Sequence, residues 1–309
     1  MRAVTITQPG DLDVLTVGER PSRDPGPDEI RIAVHAAAVN PTDIGLRRAG
    51  GGDLPAPWIP GMDLAGTVEE VGSGAQRLRA GDGVMAAVSP RRPEGGAQAE
   101  LVVVPEASAV AMPEGATFDE AATLPMNGLT AQLGLDMLGL ASGTTLAVTG
   151  GAGLLASYVI ALAARRGLTV VADARDDDRA LVEGFGAHHV VPRGNGFADA
   201  VRAIAPDGAD GLYDTALLGS GAFGALRDGG PMAVVRGWDD TPTERGIEIH
   251  KVMVVEALER TDWLEELRDM AERGELAMRV AARYPPEEAA EAQRLMDAGG
   301  LRGRAIIAF

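Results

Sequence analysis

Over the first 120 residues, apolar positions come in short β-branched runs broken by Gly and Pro, at 3–7, 14–19, 29–37, 66–71, 83–88 and 100–104. Helical spacing is nearly absent there, so this part reads as a compact, antiparallel, barrel-like domain. From Phe118 the pattern changes. Residues 119–140 are Ala- and Leu-rich with helical spacing, broken once around Pro125 and Gly128. Strands are then expected at 145–149, 169–173, 188–191, 210–215 and 231–236, and helices between them at 153–166, 177–184, 197–204 and 219–227. Such alternation builds βαβ units around a parallel sheet. The apolar run 247–255 reads as a last, edge-type strand, and 262–273 as an amphipathic helix with Gly274 just past its end. The tail then gives strand, helix and strand, and is expected to return to the first domain. The division is therefore 1–121 with 258–309, interrupted by 122–257.

One stretch of the alternating region carries a recognisable chemistry. After the strand at 145–149 comes Gly151-x-Gly153-x-x-Ala156, which opens a helix, and Asp173 follows 17 residues after Ala156. That order is the dinucleotide fingerprint with Ala in its permitted third place. Gly151 allows a tight turn, Gly153 lets backbone amides approach a pyrophosphate, and Ala156 keeps helix and sheet close. The helix N-terminus, at Leu154 and Leu155, favours the phosphate charge. The bland alternative is a tight turn with no ligand.

Composition removes several classes of function. The chain has 309 residues, 46% hydrophobic and 24% charged, enough for two buried cores with an ordinary polar surface. A net charge of −17 argues against nucleic acid and anionic membranes as partners. There is no Cys, hence no disulfide, thiolate or Cys-bound metal. The four His have no metal-type helical spacing, and Lys251 is the only lysine available for a Schiff base. The first ten residues read as a strand rather than a secretory leader, and no apolar run reaches the ~18–20 residues of a membrane span. A cytoplasmic location is expected.

Four stretches in order make the chain resemble the medium-chain dehydrogenase/reductase superfamily, and within it the zinc-free, zeta-crystallin-like quinone oxidoreductases. They are Val39-Asn40-Pro41-Thr42-Asp43, the run from Pro60-Gly61-Met62-Asp63 through Gly81-Asp82, the segment Leu124-Pro125-Met126-Asn127-Gly128-Leu129-Thr130-Ala131, and the fingerprint. The resemblance covers essentially the whole chain. It implies an α/β fold in which a GroES-like, β-barrel-type catalytic domain is interrupted by a Rossmann domain with a doubly wound parallel sheet. The zinc-dependent branch has a Cys just after the position of Asn40 and a His where Met62 stands, so no metal is expected. A short-chain dehydrogenase would need Tyr-x-x-x-Lys, but Tyr158 is followed four residues on by Leu162.

The activity implied by the resemblance is hydride transfer from a nicotinamide to a quinone or an electron-poor C=C. The cofactor carries the hydride, and the protein places it and stabilises the developing enolate. Asn40 is the first catalytic and substrate-binding candidate, since an amide can donate to the acceptor carbonyl. Its other reading is a turn-forming Asn before Pro41. Asp43 reads as a cap for a short helix at 44–49. The resemblance puts Asn127 at the substrate and Thr130 at the nicotinamide, against Thr130 simply bonding its own helix backbone. It further implies cofactor contacts at Leu217, Arg236, Gly237 and Arg304. Trp238 offers a flat wall to a ring-shaped acceptor, or covers the core. Family members carry a Tyr a few residues after the Asn-Pro segment; here none stands there, which leaves solvent as the proton source.

Two further readings stay open beside the reductase: a nucleotide-binding protein without turnover, and alcohol oxidation, which the missing zinc ligands disfavour. On the cofactor, Asp173 at a strand end should accept bonds from ribose hydroxyls and so favour NAD(H). Arg175, Arg179 and Arg193 could instead bind a 2′-phosphate bidentately, and quinone oxidoreductases of this type mostly use NADP(H). NADP(H) is the expectation, on the resemblance. The apolar run 247–255 would be a hazard as an open sheet edge, so a homodimer is expected.

Overall fold

A computed structural model describes residues 1–239 and 241–309. Strands β1 (Arg2–Ile6), β2 (Leu15–Glu19) and β3 (Glu29–Ala38) lead to helix α1 (Pro41–Ala49). Next come β4 (Asp63–Val71), β5 (Gly83–Ala87), β6 (Leu101–Pro105) and β7 (Ala109–Ala111), then helices α2 (Phe118–Ala121) and α3 (Pro125–Leu138). The alternating region runs β8 (Thr145–Thr149), α4 (Leu154–Arg165), β9 (Thr169–Ala174), α5 (Arg179–Gly184), β10 (His189–Pro192), α6 (Phe197–Ile204), β11 (Gly211–Asp214), β12 (Pro231–Val235) and β13 (Glu248–Val252). The chain closes with α7 (Thr261–Glu272), β14 (Val280–Tyr284), α8 (Ala289–Asp297) and β15 (Arg304–Ala308).

Two compact units result. The first comprises Met1–Met126, Leu258–Gly274 and Met278–Phe309; the second comprises Asn127–Ala257 and Glu275–Ala277. The first division thus falls five residues later than the sequence boundary, inside α3.

The first unit is a seven-stranded sheet in the order β14-β15-β3-β4-β5-β7, with β6 also paired to β3. Its central strand β3 alternates half-buried and buried positions, and Ile30, Ile32 and Val34 point into one core with Leu64, Val68, Val84, Val102 and Val104. That period of two is what a half-covered strand requires. The tail does return: β15 pairs antiparallel with β3, in the register Ile307 to Ala37. The pairing is antiparallel except between β14 and β15, which run parallel because α8 crosses between them.

The second unit is a six-stranded, wholly parallel sheet in the order β10-β9-β8-β11-β12-β13. The strand order reverses between β8 and β11, the switch point at whose carboxyl ends open α/β sheets bind ligands. Helix α4 is buried on most of its surface, from Leu154 to Ala163, which explains its nearly continuous apolar sequence. Helix α3 lies so close to β11 that a Cβ on Gly134 would meet the Tyr213 ring at 2.4 Å. Only glycine fits there, and the Tyr213 hydroxyl donates to the Thr130 carbonyl at 2.6 Å.

Several expected elements differ. The break in 119–140 lies before Pro125, which starts α3 at a first-turn position where its missing N–H costs nothing; Gly128 sits inside the helix. The helix expected at 219–227 is a 3-10 segment, Gly219–Ala225, because three glycines in seven residues are too poor in helix propensity. The strand expected over 247–255 is confined to Glu248–Val252, a sheet edge, and a 3-10 turn, Val254–Glu256, follows it.

Candidate functional site

The glycine turn joins the end of β8 to α4. Gly150 is left-handed (φ 71°), its carbonyl accepts the Gly153 N–H at 2.8 Å, and Gly153 then caps α4. By helix geometry the first-turn amides of Leu154, Leu155 and Ala156 have no acceptor within the helix, and they face the direction from which an anion would come. The turn is pressed against β9: a Cβ on Gly151 would stand 2.6 Å from the Asp173 carbonyl oxygen. This is a cradle shaped for close backbone approach, and it suits a pyrophosphate.

Asp173 is placed differently from the sequence expectation. It is buried at the end of β9, and its Oδ1 accepts the N–H groups of Gly150 and of Gly151, the latter at 3.2 Å. Burial pushes its pKa up, while the two glycine amides and the nearby Arg193 charge pull it down. Arg179 does not reach outward either: its Nη1 donates to the Val190 carbonyl at 2.8 Å, with Glu183 3.9 Å away. Arg175 is exposed just past β9. Arg193 is exposed just past β10, its backbone N–H bonded to the Ala174 carbonyl at 3.0 Å.

At the carboxyl ends of β11 and β12 the second unit holds a cavity of about 540 Å³. Leu217, Leu218, Arg236, Gly237 and Trp238 line it, together with Asp214. Four of the sequence candidates therefore converge. Leu217 (φ 60°) and Arg236 (φ 66°) hold a left-handed backbone that costs a non-glycine residue about 1 kcal/mol or more, a strain that collects at ligand sites. The base of the cavity is tied to β8: Thr149 Oγ1 donates to Asp214 Oδ1 at 2.6 Å, and Asp214 Oδ2 accepts the Gly219 N–H at 2.8 Å. Trp238 lines the cavity and also stacks on Phe223 at 5.9 Å, its Nε1 donating to the Thr241 carbonyl. Its packing on Phe223 is the core-covering placement, and it also lines the cavity.

In the first unit, Asn40 is wholly buried as the residue before α1, and both ends of its amide are engaged. Its Nδ2 donates to Asp63 Oδ2 at 2.7 Å, and its Oδ1 accepts Arg304 Nε at 2.7 Å. Asp43 closes a capping box by accepting the Asn40 N–H at 2.8 Å, and its other oxygen accepts the Gly61 N–H at 2.8 Å. Asp63 Oδ1 accepts the Met126 N–H at the start of α3. Burial raises Asp63 to about 7 and Asp43 to about 6, against the N–H bonds and the Arg304 charge. The sequence reading did not single out Asp63. Its signal was an acid opening the apolar run DLAGTV, where a charge is tolerated only if it is paired.

Asn127 and Thr130 are both buried on α3, and the Thr130 carbonyl is the acceptor for Tyr213. The residues that stand where the zinc branch has its ligands do not suit zinc. Pro41 follows Asn40 and offers no ligand atom, Met62 is a buried thioether, and among the described residues no three His, Cys, Asp or Glu could hold a metal ion. Among the described residues no helix is long and apolar enough to cross a membrane.

Residues 26–114 match the family described as "Alcohol dehydrogenase GroES-like domain", and residues 185–307 the one described as "Zinc-binding dehydrogenase". The chain is 34% identical over 77% of its length to the 2-methylene-furan-3-one reductase of Solanum lycopersicum, covering 62% of that protein. It is 33% identical over 68% of its length to the chloroplastic NADPH-dependent alkenal/one oxidoreductase of Arabidopsis thaliana, covering 55%. The match thus spans less than two thirds of these curated relatives. Among solved structures, an NAD-dependent alcohol dehydrogenase (28% identity, TM-score 0.85) is covered in full, as is this chain. The same full mutual cover holds for a mycobacterial protein complexed with NADPH (25% identity, TM-score 0.84).

Proposed function

This chain belongs to the medium-chain dehydrogenase/reductase superfamily, and from that membership we propose that it is an NADPH-dependent reductase of quinones or α,β-unsaturated carbonyls that works without zinc. The observation that carries this reading is the pair of sites on the second unit. A glycine turn at Gly151–Gly153 that opens a helix stands at the end of β8, and a 540 Å³ cavity opens at the ends of the neighbouring β11 and β12. The names of the Solanum and Arabidopsis relatives support the acceptor class, and the second of them, with the NADPH complex, supports the cofactor.

When bound, the nicotinamide supplies a hydride; everything else is placement by this chain. Gly151, Gly153 and the first-turn amides of α4 hold the pyrophosphate. Leu217, Arg236 and Gly237 shape the cavity for the nicotinamide half, and Trp238 gives the acceptor ring a flat face. Asn40, with both ends of its amide engaged, acts as a positioning residue that fixes α1, Asp63 and Arg304. The test is turnover of reduced nicotinamide with a panel of quinones, enones and simple aldehydes. Consumption with the aldehydes alone would favour an alcohol dehydrogenase instead.

We further propose a homodimer. β13 is a sheet edge, and just beyond it Met253 and Val255 are 47% and 46% exposed. A second copy adding its own β13 would satisfy the edge and cover both side chains. Light scattering of the purified chain should give twice 31.9 kDa at micromolar concentration; a monomer mass would reject this.

A further inference from the structure

Among the described residues lining the cavity at the ends of β11 and β12, three carry charge: Asp214, Arg236 and Asp239. The two acids are occupied. Asp214 is 2% exposed, and its two oxygens accept the Thr149 hydroxyl and the Gly219 N–H. Asp239 turns onto its own loop, where Oδ1 accepts the Thr241 hydroxyl at 2.6 Å and the Thr241 N–H at 3.1 Å. Arg236 differs from both. It is exposed, and among the described residues its guanidinium has no hydrogen bond or ion pair within the protein. Its backbone is left-handed (φ 66°), directly before the left-handed Gly237 (φ 89°). Glycine would hold that conformation freely, whereas an arginine is strained there and no contact within the protein offsets the strain. The walls beside it are apolar and open: Leu217 and Leu218 are 47% and 41% exposed, and Val235 and the Trp238 ring complete them.

We infer that Arg236 is a specificity-determining residue that pairs with an acidic group on the acceptor, so that this chain prefers a flat, conjugated acceptor bearing a carboxylate. This rests on the reductase reading and narrows its substrate class. A guanidinium takes a carboxylate through two parallel N–H bonds. The conjugated ring then lies against Trp238 and the leucines, an apolar wall beside one fixed polar group, as ligand pockets are built. A neutral acceptor of the same shape would cover the guanidinium without a partner, so the same residue also acts against it. Asp239 opposes an anion, but it makes no ion pair with Arg236 and its charge is met by Thr241. A bidentate contact outweighs a solvent-screened carboxylate.

The experiment has a binding arm and a turnover arm, both on the full chain. Calorimetry compares 2-naphthoate with its neutral isostere 2-naphthamide, in the presence of NADP+. The unaltered protein should bind the naphthoate tighter by about 10-fold or more, and Arg236→Gln and Arg236→Gly should each bring the two affinities together. Arg236→Lys should keep part of the preference. Arg236→Gly relieves the strained φ, so its unfolding midpoint should not fall, and a lost preference there is not lost folding. The turnover arm takes kcat/KM for 1,4-naphthoquinone-2-carboxylate over that for the matching carboxamide, with NADPH. The difference in intrinsic reactivity, and any effect on the cofactor, cancel when this ratio is compared between proteins. It should fall about 10-fold or more in the Gln and Gly variants. Turnover of both quinones at one ratio in every variant would overturn the inference and leave the reductase standing. An Arg236→Gln protein that loses NADPH affinity about 10-fold while its naphthoate-to-naphthamide ratio stays put would assign the guanidinium to a cofactor phosphate, and also overturn it. A naphthoate preference that Arg236→Gln removes, with neither quinone turned over, would remove the reductase reading and leave Arg236 as the carboxylate-binding residue.

Discussion

Asn40 donates its side-chain amide to Asp63 at 2.7 Å in a site with no solvent exposure, and so ties the start of α1 to the start of β4. The pair works only with its third member, Arg304, which the opposite end of the same amide accepts. Removing the amide takes one hydrogen bond from a buried carboxylate and one from a buried guanidinium at once.

Asn40→Ala should therefore cost about 3 kcal/mol of folding stability, the range for breaking a buried charged network by deleting one partner. Urea unfolding checks it. A loss under about 1 kcal/mol would mean that water replaces the amide without penalty.

The two buried carboxyls make stability depend on pH. Both keep a proton in the folded protein at a pH where the unfolded chain, with Asp near 3.8, has released it. Their contribution is full below that value and is lost as pH rises through about 6 for Asp43 and about 7 for Asp63. Unfolding free energy should fall between pH 4 and pH 7, and Asp63→Asn should flatten the fall. A steeper slope in the variant would contradict the assignment.

Gly134→Ala tests the fit of α3 against β11. Alanine is worth up to about 1 kcal/mol more than glycine in a helix, but its Cβ would sit 2.4 Å from the fully buried Tyr213 ring. The clash should win, with a net loss of about 1–3 kcal/mol. Tyr213→Phe should cost about 1 kcal/mol by removing the bond to Thr130. In the double variant the phenylalanine ring still meets the new methyl, so the Gly134→Ala penalty should largely persist.

Gly151→Ala pushes a methyl to within 2.6 Å of the Asp173 carbonyl, which neither strand nor turn can yield cheaply. Cofactor affinity should drop more than 10-fold, about 1.4 kcal/mol. Calorimetric titration with NADPH reads this directly, and an unchanged Kd would remove the glycine turn from the site.

Much of this was legible in the sequence because local chemistry and packing agree. The glycine turn, its helix and its flanking strands are set by short-range signals, and the β-branched run at 29–37 forms β3, in which half-buried and buried positions alternate up to Ala36. What the sequence did not disclose depends on contacts across long separations. Asp63 takes its partners from 23 and 63 residues away. Asp173 could be read as a strand-end acid, but its orientation into the turn is set by the pressing of Gly150 and Gly151 against β9. The stretch 219–227 looked helical by position in the alternation, yet its glycines leave it a 3-10 segment. The role of Trp238 could not be divided from the sequence, since the same ring stacks on Phe223 and lines the cavity.

The central claim is hydride transfer from NADPH to a conjugated acceptor without zinc. It is tested most directly by following the loss of reduced-nicotinamide absorbance with quinones and enones, with and without a strong chelator. NADPH should be oxidised in an acceptor-dependent way at one rate in both conditions. Oxidation that the chelator abolishes and zinc restores, or no oxidation with any quinone or enone, would contradict it.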